Sequence, residues 1–237
     1  MIVARDVTKK FGKFYALNAV DVTCSEGKCI ALIGPNGSGK TTFIKCILGM
    51  VVPDRGVITF NDSSIAGNWL YRNRIGYMPQ IGRYPENMTI AQIFSMMKDI
   101  RKPTGGSHDE ELIKSFGLEK IMHKRMRSLS GGTTQKVSAS LAFLFNSDVL
   151  ILDEPTAGLD PVSTEILKEK ITRDKNKGKL ILITSHVLSE LDDLISEVIY
   201  MVEGKIKFHT SLGKLKETTG EEKLSRAIAK VMTTGNS

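Results

Sequence analysis

Gly34-Pro35-Asn36-Gly37-Ser38-Gly39-Lys40-Thr41 is the stretch on which the fold of this chain turns. It has the pattern G-x-x-x-x-G-K-[ST] and lies between the apolar run 28–33 (Lys-Cys-Ile-Ala-Leu-Ile) and an amphipathic stretch, 40–49, that Gly49 stops. Glycines let successive backbone N–H groups turn inward around an anion, where side chains would obstruct them. A helix starting near Gly39 aims its first N–H groups and the positive end of its dipole at the same point. In that setting Lys40 reaches the β- and γ-phosphates of a nucleotide, and the Thr41 hydroxyl holds Mg²⁺. A buried strand, a phosphate loop and a helix in this order predict an α/β fold.

Outward from the loop, segments 2–7, 19–24 and 57–60 have the character of short strands, with turns at Phe11-Gly12-Lys13, Ser25-Glu26-Gly27 and 53–56. Residues 75–78 form another strand, ended by Pro79. From 82 to 146 the pattern becomes helical. A helix over 89–100 carries Ile90, Ile93, Phe94, Met97 and Ile100 on one face. A second, over 109–116, starts from a capping box, Ser107-x-x-Glu110. The run 101–106 between them predicts a flexible joint. Met88, Met96, Met97, Met122 and Met126 suit adaptable packing or a docking face better than a metal.

Strand–helix alternation returns at 148. Runs 149–152 and 180–183 are buried strands, and 161–177 is a helix with Asp160 as N-cap, Pro161 at its first position and Gly178 past its end. A further helix is expected at about 187–195. Strands 197–202 and 205–208 flank a Glu203-Gly204 hairpin turn. Two αβ stretches around a helical insert predict a nucleotide-binding core with a helical subdomain.

Composition narrows the function classes. A chain of 237 residues, 41% hydrophobic and 25% charged, can bury a sizeable core. The N-terminus lacks the layout of a signal peptide. The most apolar region, 137–152, is interrupted by Ser138, Ser140, Asn146, Ser147 and Asp148, so no membrane-spanning helix is expected. Cys24, Cys29 and Cys46 have no C-x-x-C spacing, which predicts reduced, buried thiols. Of the formal +7 charge, much lies in 205–237, which holds seven Lys or Arg against three Glu. This stretch and the cluster Lys120, Lys124, Arg125 and Arg127 lack the aromatic interleaving of a single-strand nucleic-acid surface. Solvated surface is the expectation, and no nucleic-acid partner.

Two more stretches carry chemistry. Val149-Leu-Ile-Leu ends in Asp153 and Glu154. Ligands of parallel αβ sheets sit at the carboxyl ends of strands, which points this pair toward the phosphate loop. Asp153 then binds Mg²⁺, directly or through water, and Glu154 polarises the water that attacks the γ-phosphate. Leu129-Ser130-Gly131-Gly132, leading into a helix, is a second anion cradle of one hydroxyl and two unobstructed N–H groups. One nucleotide hardly needs two cradles for its γ-phosphate, but two copies of the chain could supply one each.

With these stretches in order along almost its whole length, the chain resembles the nucleotide-binding subunits of ATP-binding-cassette (ABC) transporters. The resemblance implies a P-loop NTPase core with an antiparallel β subdomain and an inserted helical subdomain, an ABC ATPase. It implies one such domain over 1–237: a core at about 1–80 and 147–210, a helical subdomain at about 81–146, and a short basic tail, 211–237. ATP and Mg²⁺ are the implied cofactors. Gly34, Pro35, Asn36, Gly37, Ser38, Gly39, Lys40, Thr41 and Thr42 would bind the phosphates, and Phe11, where the family usually has Tyr, would stack on adenine. Gln80 matches the residue that senses Mg²⁺ and the attacking water. Ser130, Gly131 and Gly132 match the signature motif, Asp160 lies in the loop at the dimer seam, and His186 matches the switch histidine at the γ-phosphate. Lys40, Gln80, Glu154 and His186 would carry catalysis, with Thr41, Gln80 and Asp153 around the metal.

The resemblance further implies a homodimer with shared ATP sites and a separate integral membrane permease, gripped by the helical subdomain. Ile81, Tyr84, Pro85, Met88 and Ile90 are candidates for that docking surface. Peripheral attachment at the cytoplasmic face of the cell membrane follows. The signature departs from Leu-Ser-Gly-Gly-Gln in having Thr133, as exporter-type cassettes do, and the last thirty residues leave no room for a regulatory domain. The run 75–89 is similar to cassettes serving nitrous-oxide reductase copper-site maturation. The alternative, a soluble ABC ATPase acting on nucleic acid or the ribosome, predicts two cassettes in one chain or a long coiled coil, and the sequence has neither.

Overall fold

The computed structural model describes residues 1–101 and 107–234. The chain forms two compact units, one from Met1–Trp69 with the chain from Leu182 onward, the other from Leu70–Ile181.

In the first unit, β1 (Ile2–Phe11), β2 (Phe14–Cys24), β4 (Arg55–Phe60) and the short β5 (Ser63–Ser64) form an antiparallel sheet in the order β2-β1-β4-β5. The Gly12-Lys13 turn joins β1 to β2, setting Phe11 opposite Phe14. Between β2 and β4 lie β3 (Cys29–Ile33), buried at every position, and helix α1 (Lys40–Ile47), which buries Phe43, Ile44, Cys46 and Ile47. A continuous apolar strand of this kind is covered on both faces, as parallel strands are. It pairs in parallel with β9 (Glu197–Val202), Ile33 standing opposite Tyr200. β10 (Lys205–Ser211) returns antiparallel to β9 through Glu203-Gly204. Both turn residues have positive φ, 51° and 73°, matching the right-handed twist of the hairpin.

One prediction in this unit needs correction. The stretch expected to be a helix at 187–195 is a 3-10 turn at Leu188–Glu190 followed by further turns. The Val187 N–H donates to Ser185 Oγ at 3.0 Å, and i→i+3 bonds follow at Glu190, Leu191 and Leu194. Two helices follow β10: α6 (Leu212–Thr219), capped by Ser211, and α7 (Leu224–Thr234). The Leu224 N–H donates to Asp192 Oδ1 at 2.9 Å, tying α7 to the segment after the turn.

In the second unit, β6 (Ile75–Met78) and β7 (Val149–Asp153) pair in parallel, Met78 opposite Leu152. Gly76 lets the backbone at Ala142 lie close against β6: a Cβ there would stand 2.1 Å from the Ala142 carbonyl oxygen. Around them lie α2 (Ile90–Ile100), α3 (Glu111–Ser115), α4 (Gly131–Phe143) and α5 (Pro161–Asn176). Strand β8 (Leu180–Thr184) begins in this unit and ends in the first. A core of Ile90, Ile93, Phe94, Leu118, Val137 and Phe145, with others, joins the helices, and Met126 is buried in it. Met88, Met96, Met97 and Met122 pack against that core, so the methionines act as adaptable filling. Ile90 is fully buried, which removes it from the expected docking surface. Ile81, at 70% exposure, and Pro85 remain exposed.

The capping box expected at Ser107 and Glu110 does not form. Residue 110 caps α3 without a side-chain bond, because Glu110 pairs with Lys98 at 2.6 Å. The Glu111 N–H donates instead to Asp109 Oδ1. A full capping box stands on α2, between Thr89 and Gln92. Of the flexible joint expected over 101–106, only Arg101 is among the described residues, and it is anchored. Its guanidinium donates to Ile75 O at 2.9 Å and Ser147 Oγ at 2.6 Å and stacks over Phe145. Burial pushes its pKa down to about 10.

Lys170 of α5 is 1% exposed and pairs with Asp109, Glu111 and Asp174. Burial alone would lower its pKa, but these carboxylates outweigh it and raise the pKa. Removing one partner from such a set strands a buried charge, at about 3–5 kcal/mol.

Candidate functional site

The predicted site residues divide between the units. Phe11, Gly34–Thr42 and His186 lie in the first; Gln80, Ser130–Gly132, Asp153, Glu154 and Asp160 lie in the second.

The loop after β3 is shaped by backbone that only glycine adopts cheaply. Gly34, Gly37 and Gly39 have φ of 152°, 78° and 103°. A Cβ at Gly34 would stand 2.0 Å from Met201 O, and one at Gly39 would stand 2.3 Å from Ala16 O. These two glycines let the loop press against its own unit. Gly37 differs, since nothing lies within 4 Å of where its Cβ would be. The loop therefore faces open space on that side. Ser38 N–H donates to Pro35 O, closing the turn, and Ser38 Oγ is buried without a hydrogen-bond partner. An orphaned hydroxyl in a turn of inward N–H groups fits an anion-binding loop. Lys40 Nζ curls back to Gly34 O at 2.7 Å and Pro35 O at 3.1 Å, so the charge that would meet a phosphate is held over the loop. Thr41 is exposed and Thr42 half-buried at the start of α1.

Phe11, at the end of β1, is 55% exposed with the Lys9 ammonium 5.6 Å from its ring centre. An exposed ring flanked by cations suits stacking on a base. His186 is exposed, two residues past β8, between the buried Ser185 and the 3-10 turn.

In the second unit the register of β6 on β7 brings Gln80, Asp153 and Glu154 to one sheet edge. Met78 stands opposite Leu152, so Gln80, two residues on, leaves the edge where β7 ends in Asp153. Gln80 is exposed, while Asp153 and Glu154 are each only 8% exposed. Burial first, and the Asp153 charge second, push the Tyr77 hydroxyl up to about 12. Glu154 has φ 52°, left-handed backbone that costs a residue with a Cβ about 1–3 kcal/mol.

Ser130 caps α4, its Oγ accepting from Thr133 N–H at 3.3 Å. Gly132 lies so close to the loop after Glu154 that a Cβ would stand 2.6 Å from Gly158 O. Asp160 caps α5, as the sequence predicts, through the Ser163 N–H at 2.9 Å, and also accepts from Lys136 Nζ at 2.7 Å. The sequence marked Thr133 as a departure but not its bond to Ser130, and it did not point to Lys136 or to the buried Gln135, whose amide reaches Glu154 O.

Set beside known proteins, residues 17–157 match the family model described as ABC transporter. An uncharacterized ABC transporter ATP-binding protein of Bacillus subtilis, YhaQ, is 31% identical over 95% of this chain and 76% of its own length. The ABC transporter ATP-binding protein NatA of the same organism is 30% identical over 95% of both chains. Among solved structures, an ATP-binding subunit of an ABC transporter, 26% identical, superposes with a TM-score of 0.90 over 98% of this chain and 99% of that one. The chain belongs to the ABC transporter family as one of its ATP-binding cassettes, and it is an ATPase. The fold is the cassette fold, with its antiparallel and mixed sheets.

Proposed function

We propose that the chain is the ATP-hydrolysing subunit of a transporter, working as a homodimer coupled to a separate integral membrane permease. The observation that carries this reading is the pair of cradles in one chain: an open glycine loop at Gly34–Thr41 and a capped helix start at Ser130–Gly132. In the proposed cycle, ATP held by Gly34–Thr42 of one copy, its adenine on Phe11, is closed over by Ser130–Gly132 of the other. The arrangement is isologous, so a two-fold dimer satisfies both copies. Closure depends on the γ-phosphate, which makes it a ligand-driven switch. Glu154 takes the proton of the attacking water, Gln80 orients that water, and His186 contacts the γ-phosphate. Asp160 stands at the seam.

Thr41, Gln80 and Asp153 offer a hydroxyl, an amide oxygen and one carboxylate. Such an all-oxygen set suits Mg²⁺, which takes one or two carboxylates and relies on the nucleotide phosphates for the rest. When bound, the ion would neutralise developing phosphate charge.

The domain reading goes with this proposal: a core at about 1–80 and 147–210, a helical subdomain at about 81–146, and the tail 211–237. No helix among the described residues is long and apolar enough to cross a membrane. Attachment at the cytoplasmic face is proposed to run through the permease, docked on the exposed Ile81 and Pro85. Service to nitrous-oxide reductase copper-site maturation rests on the resemblance of 75–89, and the permease that co-purifies with the chain decides it.

The test is a set of variants. Glu154→Gln should keep ATP binding, trap a dimer and nearly abolish turnover; full hydrolysis by it would overturn the base assignment. Ser130→Arg should block closure and leave monomer ATP affinity nearly intact. Mixing it with Lys40→Ala subunits should restore partial activity, since one composite site is then whole, and no restoration would defeat the shared site.

A further inference from the structure

Thr133 stands where the family's signature most often has Gln, and its hydroxyl turns back to the helix cap. Thr133 Oγ1 lies 2.9 Å from Ser130 Oγ, while the Thr133 N–H donates to the same oxygen at 3.3 Å. The next threonine also turns back: Thr134 Oγ1 donates to Ser130 O at 3.1 Å. Ser130 is exposed and Thr133 half-buried. Ser130 is thus the more open of the two residues, and the Thr133 hydroxyl backs its hydroxyl.

A serine hydroxyl has one proton to give and two lone pairs to fill. The Thr133 N–H takes one lone pair. If the Thr133 O–H takes the other, the Ser130 proton has no partner inside the helix start and points outward. An anion in front of Ser130 selects this arrangement over the reverse one. The chain Thr133 O–H to Ser130 O–H to anion is also polarised in one direction, and each bond strengthens the next. A Gln side chain, longer by two atoms, would reach past this position instead.

We propose that Thr133 is a positioning residue whose hydroxyl orients and polarises the Ser130 hydroxyl toward the γ-phosphate of ATP held by the other copy. The inference rests on the shared-site reading above. It gives this cassette a signature in which the fifth residue acts through the second rather than on the nucleotide.

The experiment uses ATP-driven dimerisation of the full chain in the Glu154→Gln background. Thr133→Val keeps the shape and the N–H but removes the hydroxyl; Thr133→Ser keeps the hydroxyl. Thr133→Val should raise the ATP concentration for half-maximal dimer by about fivefold, one ordinary hydrogen bond, while Thr133→Ser stays near the parent. Binding of ATP to the monomer should not change in either. In a Ser130→Ala background, Thr133→Val should have no further effect, which a merely structural loss at the helix start would not reproduce. Equal dimerisation by Thr133→Val and the parent overturns the inference and leaves the shared site standing. An undiminished Thr133→Val effect with Ser130→Ala also overturns it. No dimer in the Glu154→Gln parent overturns the shared site itself, and this inference with it.

Discussion

The Gln135 side chain, on the second turn of α4, donates to the main-chain oxygen of Glu154 at 3.3 Å. Gln135 is 5% exposed and Glu154 carries left-handed backbone, so the bond is buried and its acceptor strained. The helix that Ser130 opens thus reaches the backbone of the proposed base within two turns. Gln135→Leu, similar in size but without a donor, should lower stability by about 1–3 kcal/mol, read by thermal or denaturant unfolding. It should also lower kcat more than it changes KM for ATP, because the phosphate loop is untouched. A fall in KM-linked affinity alone would show that Gln135 does not position Glu154.

Gly37 and Gly39 should respond differently to alanine. Both have positive φ, which costs a residue with a Cβ about 1–2 kcal/mol. At Gly39 the new methyl also meets Ala16 O at 2.3 Å, whereas at Gly37 it meets open space. Gly39→Ala should therefore show the larger drop in melting temperature. Gly37→Ala should fold nearly normally but bind ATP more weakly, its methyl standing on the open side of the loop. Equal loss of stability in the two variants would count against this description of the loop.

The Asp160 carboxylate accepts from Lys136, then from the Ser163 N–H and hydroxyl, and these bonds hold its pKa well below the usual carboxylate range. A depressed folded pKa gives stability that is fully present above the unfolded value, about 3.9. That stability is lost as pH falls through the lower, folded value. Carbon-detected NMR should find Asp160 still ionised at pH 4, and Lys136→Met should move its midpoint upward. Because the pair is exposed, the effect on global stability should be small.

The thiols of Cys24, Cys29 and Cys46 are all buried, and none is in a disulfide. Burial first, with the Glu197 charge second, pushes the Cys24 thiol up to about 12, and burial raises Cys46 to about 11. A thiolate is the reactive form, so native protein at pH 8 should resist iodoacetamide at these two positions. In denaturant all three should alkylate quickly, as mass spectrometry would read. Rapid native labelling of Cys24 would contradict its burial in β2.

Much of the fold was legible because it rests on local periodicity. The all-apolar runs at 29–33 and 149–152 became buried strands, and Asp160-Pro161 began a helix as a cap and first residue should. The segment 187–195 misled for a physical reason. Its leucines at 188, 191 and 194 recur every three residues, a spacing that suits successive i→i+3 turns as well as an α-helix. The Ser185 hydroxyl and the tie from Asp192 to α7 then favour turns. At α3, Lys98 takes Glu110 from the expected capping box.

The sequence by itself determined the chemistry on offer: a glycine loop with Lys40 and Thr41, two carboxylates ending a strand, a Ser-Gly-Gly helix start, and a strand–helix order that places them in a cassette. These follow from residue type and spacing along one chain. Only the tertiary structure decided which groups hold the others. Gln135 on Glu154 and Lys136 on Asp160 are set by how α4 packs against the segment after β7, whereas Thr133 on Ser130 is a contact within the helix start itself. Hydrogen bonds have a reach of about 3 Å and strict direction. Partners 19 or 24 residues apart, as Gln135–Glu154 and Lys136–Asp160 are, meet only after the backbone is in place, and no sequence period encodes that meeting.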